Sequence, residues 1–441
     1  MRSILRKSVA AGVFYPQVPE KLMQVLAQIV DETHPKQEVI GLVCPHAGYE
    51  YSGAVAGTTI SHAKLTDTVI VLGTNHTGGG QPFSIMTAGF WETPLGNVEV
   101  DTNLATRLLG NTSHLVEDTE AHSREHSIEV LLPFLKYLKN DIKIVPIVLS
   151  HASTAVYKEI GTEMAEALAE SGREAVIIAS SDMTHYEPHE QAKAQDDIAI
   201  QAILKLDVDN FIEQVGEHRI SMCGVAPVAV LMTIAESMGT NKAELVSYKT
   251  SGDVSNDYLR VVGYAGIIIR RPAISPLVQL ARKSVKSYLE EGLILPVPSN
   301  GIPEMQEKAG VFVSIYKNGE LRGCIGTFEP SRGNVAEEII MNAISAATRD
   351  PRFEAVKKEE LQDLVFSVDV LSEPEEIESK EQLYPQRYGV IVVGGTRRGL
   401  LLPDLKGVDT PEQQIDICRR KADIGADEKI RLFRFEVQRY K

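Results

Sequence analysis

The sequence predicts an α/β protein of two domains. The first is an N-terminal layered α/β domain around a mainly parallel central sheet, and the second is a C-terminal α+β domain with a largely antiparallel sheet. Three observations carry this expectation. Short, unalternating Val/Ile-rich runs at residues 38–44, 68–73 and 174–180 read as strands covered on both faces, as a parallel sheet requires. Helical patterns alternate with these runs as far as about residue 269. After that the grammar changes to hairpins and separate helices.

Taken in order, residues 19–31 and 126–138 carry helical periodicity. Residues 83–89 and 97–100 read as an added hairpin or edge pair. Further strands are expected at 143–149, 244–248 and 258–269. Arg270-Arg271-Pro272-Ala273 marks a boundary, dividing the chain into domains 1–270 and 275–441. Ser275 then reads as an N-cap, with Pro276 at the first helical position of a helix through about Leu289. Leu277, Leu280, Ala281, Val285, Tyr288 and Leu289 form its apolar face. Residues 310–328 read as strand, Asn318-Gly319 turn, strand. A helix at about 335–347 follows, with strands at 364–371, 389–394 and 399–402. Thr410-Pro411-Glu412-Gln413 is a capping-box start for a helix carrying Cys418, and residues 430–440 form a last strand.

The 441 residues are 43% hydrophobic and 24% charged, as in ordinary globular protein. The formal net charge is −15; residues 273–441 hold 24 Lys/Arg against 27 Asp/Glu, which leaves −12 for the first part. Neither half has the basic surplus of a phosphate-backbone binder, so nucleic acid is not an expected partner. Four cysteines without a CxxC pair argue against a disulfide framework and suit a reducing cytoplasm. No run approaches the roughly 18 apolar residues of a membrane span, and the N-terminal residues lack the apolar core of a secretion signal.

The candidate chemistry sits where buried strands end. His46 in CPHAGYEYSG, His76 in GTNHTGGG and His185 in SSDMTHY each follow an apolar run. In an open parallel sheet, ligands gather beyond the carboxyl ends of the strands. Spacing alone supports metal ligation and ordinary loop histidines equally for His46 and His76. Cys223 precedes the apolar helical run GVAPVAVLM, where a helix N-terminus favours a thiolate; an inert buried cysteine is the competing reading. Two imidazoles and a thiolate suit iron(II), copper or zinc. His185 reads as a general base, or as a hydrogen-bond donor to a group that itself holds the ion, with Asp182 fixing its tautomer, against a plain surface turn. His122 and His126 stand at i, i+4 in a helical reading, as do Glu125 and Glu129, with a solvated first turn the competing reading for His122 and Glu129. In the second region, Cys324 lacks any histidine after His218 to activate it. Arg322, Arg352, Arg397 and Arg398 suit either an anionic pocket or structural ion pairs.

CPHAGYEYSG, LGTNHTG, REHSIEVLLPFL, SSDMTHY and MCGVAPV, in this order, resemble the Memo family over nearly all of residues 1–270. That family is similar in fold to class III extradiol dioxygenases. The resemblance implies that His46, His76 and Cys223 occupy metal-ligand positions and His185 the acid/base position, with Asp182 and His126 lining the pocket. Ring-cleaving dioxygenases use a carboxylate where Cys223 stands, so the resemblance does not extend to catechol cleavage. LRGCIGTF, TRDPRF, VDVLSEPEEI and GVIVVGGTRRGLLLP resemble the AMMECR family over residues 275–441, a resemblance that carries no assigned chemistry with it; Arg322, Cys324 and Arg352 are substrate-binding candidates on their residue types alone. Together the two resemblances imply a protein of the AmmeMemoRadiSam system: an iron(II)-binding (or copper- or zinc-binding), oxidoreductase-like protein acting with a radical SAM partner. The chain itself has no CxxxCxxC. The alternative is a non-catalytic scaffold with a vestigial dioxygenase-type pocket.

Overall fold

The apolar runs of the first half become the middle of one sheet. In the computed structural model, which describes residues 4–272, 274–317, 320–405 and 407–440, the chain forms two compact units, Met1–Pro272 and Ala273–Lys441. In the first, strands β1 (Val39–Cys44), β2 (Thr68–Thr74), β3 (Lys143–Leu149) and β4 (Val176–Ser180) lie parallel in the order β3-β2-β4-β1. Nearly every residue in them is buried, which is why their sequences show no alternation. β6 (Val261–Arg270) runs antiparallel beside β1, and β5 (Ala243–Thr250) antiparallel beside β6.

Helices cover both faces. Register places Gly41 opposite Ile269, so Gly41 and Gly266 point to opposite sides of the sheet. Helix α2 (Val225–Ser237) lies over Gly41, where any Cβ would meet the Ile177 carbonyl and Leu231. Helix α1 (Tyr49–Ser61) lies over Gly266, where a Cβ would collide with Thr59. Both glycines therefore mark a close helix–sheet approach.

Two expectations are corrected. Segments Phe83–Ile85 and Val98–Val100 do not pair with each other; both lie along the same edge of β3. The first is antiparallel to its C-terminal half and the second parallel to its start. Nor is 126–138 one helix. It is a 3-10 turn at Glu129–Leu131 followed by an α-helix at Leu132–Leu138. The Glu125 carboxylate accepts from the Ser127 backbone N–H (2.9 Å), and such local side-chain bonding competes with helix.

In the second unit β7 (Val311–Lys317), β8 (Glu320–Thr327), β9 (Leu364–Leu371), β10 (Tyr388–Gly394), β11 (Arg397–Leu401) and β12 (Arg431–Tyr440) form an antiparallel sheet ordered β8-β7-β9-β12-β10-β11. The Asn318-Gly319 turn and Ala273 lie outside the described residues. Helices α3 (Pro276–Glu291) and α4 (Val335–Thr348) share a core with Val311, Val313 and Ile315 of β7. Ser275 caps α3 through the Leu277 N–H, and Gly292 ends it in the left-handed conformation (φ 72°). Helix α5 (Pro411–Lys421) opens with the expected Thr410/Gln413 capping box and packs Cys418 against Val390 and Val392. No helix among the described residues is long and apolar enough to cross a membrane.

Candidate metal centre

Because β1, β2 and β4 are parallel, their carboxyl ends open on one side. β1 delivers His46, β2 delivers His76, and β4 delivers residues 181–185. The segment before α2 brings Cys223 to the same place. One donor atom from each of His46, His76 and Cys223 lies within 4.8 Å of the other two, and His46 Nε2 is 3.5 Å from Cys223 Sγ. His46 is buried, whereas the His76 side chain is 30% exposed and so forms the open side.

The hydrogen bonds fix both tautomers. Ser180 Oγ gives its one proton to the Ser127 carbonyl (2.7 Å), so it can only accept from His46 Nδ1–H (2.8 Å). His76 Nδ1–H donates to Glu125 Oε1 (2.9 Å), while the other oxygen accepts the His76 backbone N–H (2.8 Å). Each imidazole therefore keeps an Nε2 lone pair for an ion, held as outer-shell partners hold metal-ligating histidines. Glu125 is fully buried, and burial raises its pKa. The His76 hydrogen bond and charge and the Ser127 N–H outweigh that and hold it at about 2. Burial first, then His126 and His76, push His46 well below the usual imidazole range, so it is the neutral ligand form.

Cys223 fits the buried-cysteine reading rather than the helix-start thiolate. The helix begins only at Val225, and burial together with the Asp182 charge pushes the thiol well above its ordinary range. Without an ion the sulfur is a neutral thiol, accepting the Asp182 N–H at 3.2 Å. The donor set still fits a soft or borderline cation, which must displace that proton on binding.

His185 is tied to the segment that carries Cys223. Its N–H donates to Ser221 Oγ (2.8 Å), and its Nδ1–H to the Ser221 carbonyl (2.9 Å). The tautomer of His185 is thus set by Ser221, not by Asp182, contrary to the sequence reading. Asp182 Oδ1 instead accepts the His46 backbone N–H (2.9 Å), pinning the His46 loop, and burial raises the Asp182 pKa. His126 stacks on His76 (ring centroids 4.8 Å), lies 5.4 Å from His46 and packs against Phe14 at 4.7 Å. It therefore lines the site.

The helical spacing of His122 with His126, and of Glu125 with Glu129, is corrected. The helix at Glu120–Ser123 stops before Arg124, and His122, Glu125 and Glu129 are fully buried rather than solvated. Burial lowers the His122 pKa to about 4. Tyr186, next to His185, holds a left-handed backbone (φ 63°), with Arg260 stacked over its ring at 5.4 Å. Asp196 anchors the same turn, accepting the Thr184 N–H (2.8 Å) and the Tyr248 hydroxyl (2.8 Å). A Cβ at Gly263 would collide with its carboxylate. Gly263→Ala is therefore expected to lower stability by about 1–3 kcal/mol, as overpacking typically does. Chemical denaturation measures it.

In the second unit Arg322 is held by Glu360 (3.1 Å) and the Glu354 carbonyl (2.6 Å). Arg352 is held by Asp350 (2.7 Å), and Asp350 accepts the Cys324 N–H (2.8 Å) while Arg352 donates to the Cys324 carbonyl (3.2 Å). Both guanidiniums are thus engaged by carboxylates, and Arg397 and Arg398 pair with Glu428 and Glu329.

Residues 6–268 match the family model described as Memo-like protein. The chain belongs to the Memo family. Residues 278–440 of this Memo-family chain match a second model, AMMECR1, so one polypeptide joins the two. A MEMO1 family protein of Methanopyrus kandleri is 40% identical over 280 residues, 60% of this chain and 99% of that protein. One of Archaeoglobus fulgidus is 44% identical over 268 residues, 60% of this chain and all of that protein. A solved structure of an uncharacterized protein from Pyrococcus horikoshii is 34% identical, with a TM-score of 0.34, over 37% of this chain and 88% of that one. Glu125, Ser180 and Phe14 are the site residues that spacing did not reveal as such. For Glu125 the usable signal was its place beside His126 in the REHS motif.

Proposed function

We propose that this Memo-family protein is a metal-dependent, oxidoreductase-like protein holding iron(II), with copper or zinc as alternatives, at His46, His76 and Cys223. The observation that carries this reading is the convergence of two tautomer-fixed imidazoles and one sulfur at a parallel strand terminus. When bound, iron or copper supplies one-electron redox chemistry and open coordination positions. The protein supplies the rest. Ser180 and Glu125 orient the imidazoles, Asp182 fixes the His46 loop, and Phe14 with His126 forms an aromatic wall. His185 Nε2, its tautomer set by Ser221, accepts and returns a proton at the rim. We further propose a cytoplasmic role within the AmmeMemoRadiSam system, beside a radical SAM partner. The joining of Memo-like and AMMECR1 matches in one chain supports that assignment.

Incubating metal-loaded protein with dioxygen and candidate small-molecule reductants tests the reading. Turnover that falls about 10²–10⁴-fold in His185→Gln, the range a positioned acid/base contributes, supports it. Turnover indifferent to His185, or none with robust capture of the radical SAM protein, favours the scaffold alternative. Glu125→Gln, which removes the charge behind His76, is expected to weaken metal binding about 10–100-fold in chelator competition. Since Cys223 must lose a proton, apparent metal affinity is expected to rise about tenfold per pH unit through neutrality.

A further inference from the structure

The second unit carries a concavity that none of this chemistry uses. Its register sets Val393 of β10 directly between Arg398 of β11 and Arg431 of β12, and Ile391 opposite Phe433. Directly opposed residues share a sheet face. Two guanidiniums therefore flank a buried apolar floor, while Val390 and Val392, on the other face, pack with Cys418 of α5. Phe328 and Glu329 wall a cleft of about 200 Å³ over this floor. The same alternation separates the two arginines of GGTRRG: Arg397 turns to Glu428 and the Asp423 carbonyl, and Arg398 enters the cleft.

Among the described residues, both cleft guanidiniums are tethered at the rim. Arg398 meets Glu329 at 2.8 Å and Arg431 meets Glu376 at 3.7 Å, with all four side chains at least half exposed. Exposed pairs of this kind contribute little, so a bound anion can take either guanidinium with little loss. Arg431 also lies over the Phe433 ring at 5.4 Å. We propose that this cleft is a binding site for a small aromatic carboxylate, its ring on Val393 and Ile391 between Phe328 and Phe433, and its anion on Arg398 or Arg431. The volume limits the body to one or two rings, below the roughly 300 Å³ at which drug-sized sites begin.

Calorimetric titration of the full chain with 1-naphthoate, and with the neutral 1-naphthalenemethanol, tests this. One saturable naphthoate site is expected, at least tenfold tighter than the alcohol. The double variant Arg398→Gln/Arg431→Gln, both at exposed positions, should weaken it at least tenfold, and Glu329→Gln, which frees Arg398, should tighten it. Cys223→Ala should leave it unchanged, which separates this site from the metal centre. No saturable binding up to about 1 mM, the weak end of specific affinity, overturns the proposal. So does binding indifferent to both arginines, or binding abolished by Cys223→Ala.

Discussion

Cys223→Ala is expected to strip the purified protein of tightly held metal. The sulfur is one of only three donors in the cluster, and His46 Nε2 lies 3.5 Å from it. Losing an outer-shell partner alone weakens metal sites about 10–100-fold, so losing a ligand should exceed that range. Cys223→Ser should be nearly as severe, because a neutral hydroxyl is a poor donor for a soft cation. His46→Ala should match it. The fold should survive in all three, since none of these side chains carries the sheet's packing. Elemental analysis after dialysis against chelator, with circular dichroism as control, measures this. Retention equal to the parent protein in both Cys223→Ala and His46→Ala would remove these residues as ligands.

The largest expected effect on stability lies at Glu129. Its fully buried carboxylate pairs with Arg6 and accepts from Ser8 Oγ (2.7 Å), the Val9 N–H (2.9 Å), the Ala10 N–H (2.8 Å) and the Tyr15 hydroxyl (2.6 Å). Arg6 also donates to the His122 carbonyl (3.0 Å) and the Glu125 carbonyl (2.6 Å), and lies over Trp91 at 4.4 Å. This network straps residues 6–15 onto residues 122–129 and so places Phe14 against His126. Glu129→Ala leaves Arg6 buried without its charge partner, which typically destabilises by about 3–5 kcal/mol. Urea unfolding measures it, and a loss below about 1 kcal/mol would show the strap to be dispensable.

The sign with pH follows from the same group. Burial raises the Glu129 pKa, but Arg6 and the Tyr15 and Ser8 hydrogen bonds lower it further, so the folded value lies below the ordinary one. A depressed carboxylate contributes stability that is complete above the unfolded value of about 4.3 and is lost as pH falls through the folded value. Glu125, held at about 2, acts in the same direction. Acid unfolding should therefore set in below about pH 4.3, and Glu129→Gln should flatten the dependence there.

The convergence of His46, His76 and Cys223 was legible because parallel topology places residues just beyond Val/Ile runs on one sheet edge, whatever their separation in sequence. His46 and His76 follow β1 and β2 at once. The second unit was legible for a different reason: the capping box at Thr410 is local chemistry and needs no tertiary partner. Glu125 and Glu129 were misread because their i, i+4 spacing fits a helix, whereas their partners, His76 and residues 6–15, lie about 50 and 120 positions away. Segments 83–85 and 98–100 failed likewise, since each pairs with β3 rather than with its sequence neighbour. Asp182 stands one strand exit from His185 yet bonds the His46 loop, a contact that spacing does not encode.

X-ray absorption at the metal edge of protein purified with its native ion is the most direct test. One sulfur at about 2.3 Å and two imidazole nitrogens at about 2.0–2.1 Å, values typical of zinc sites with such ligands and little different for iron or copper, are expected, with the sulfur contribution gone in Cys223→Ser. A shell of oxygen and nitrogen only, unchanged by that substitution, would contradict the assignment of residue 223 and with it the centre described above.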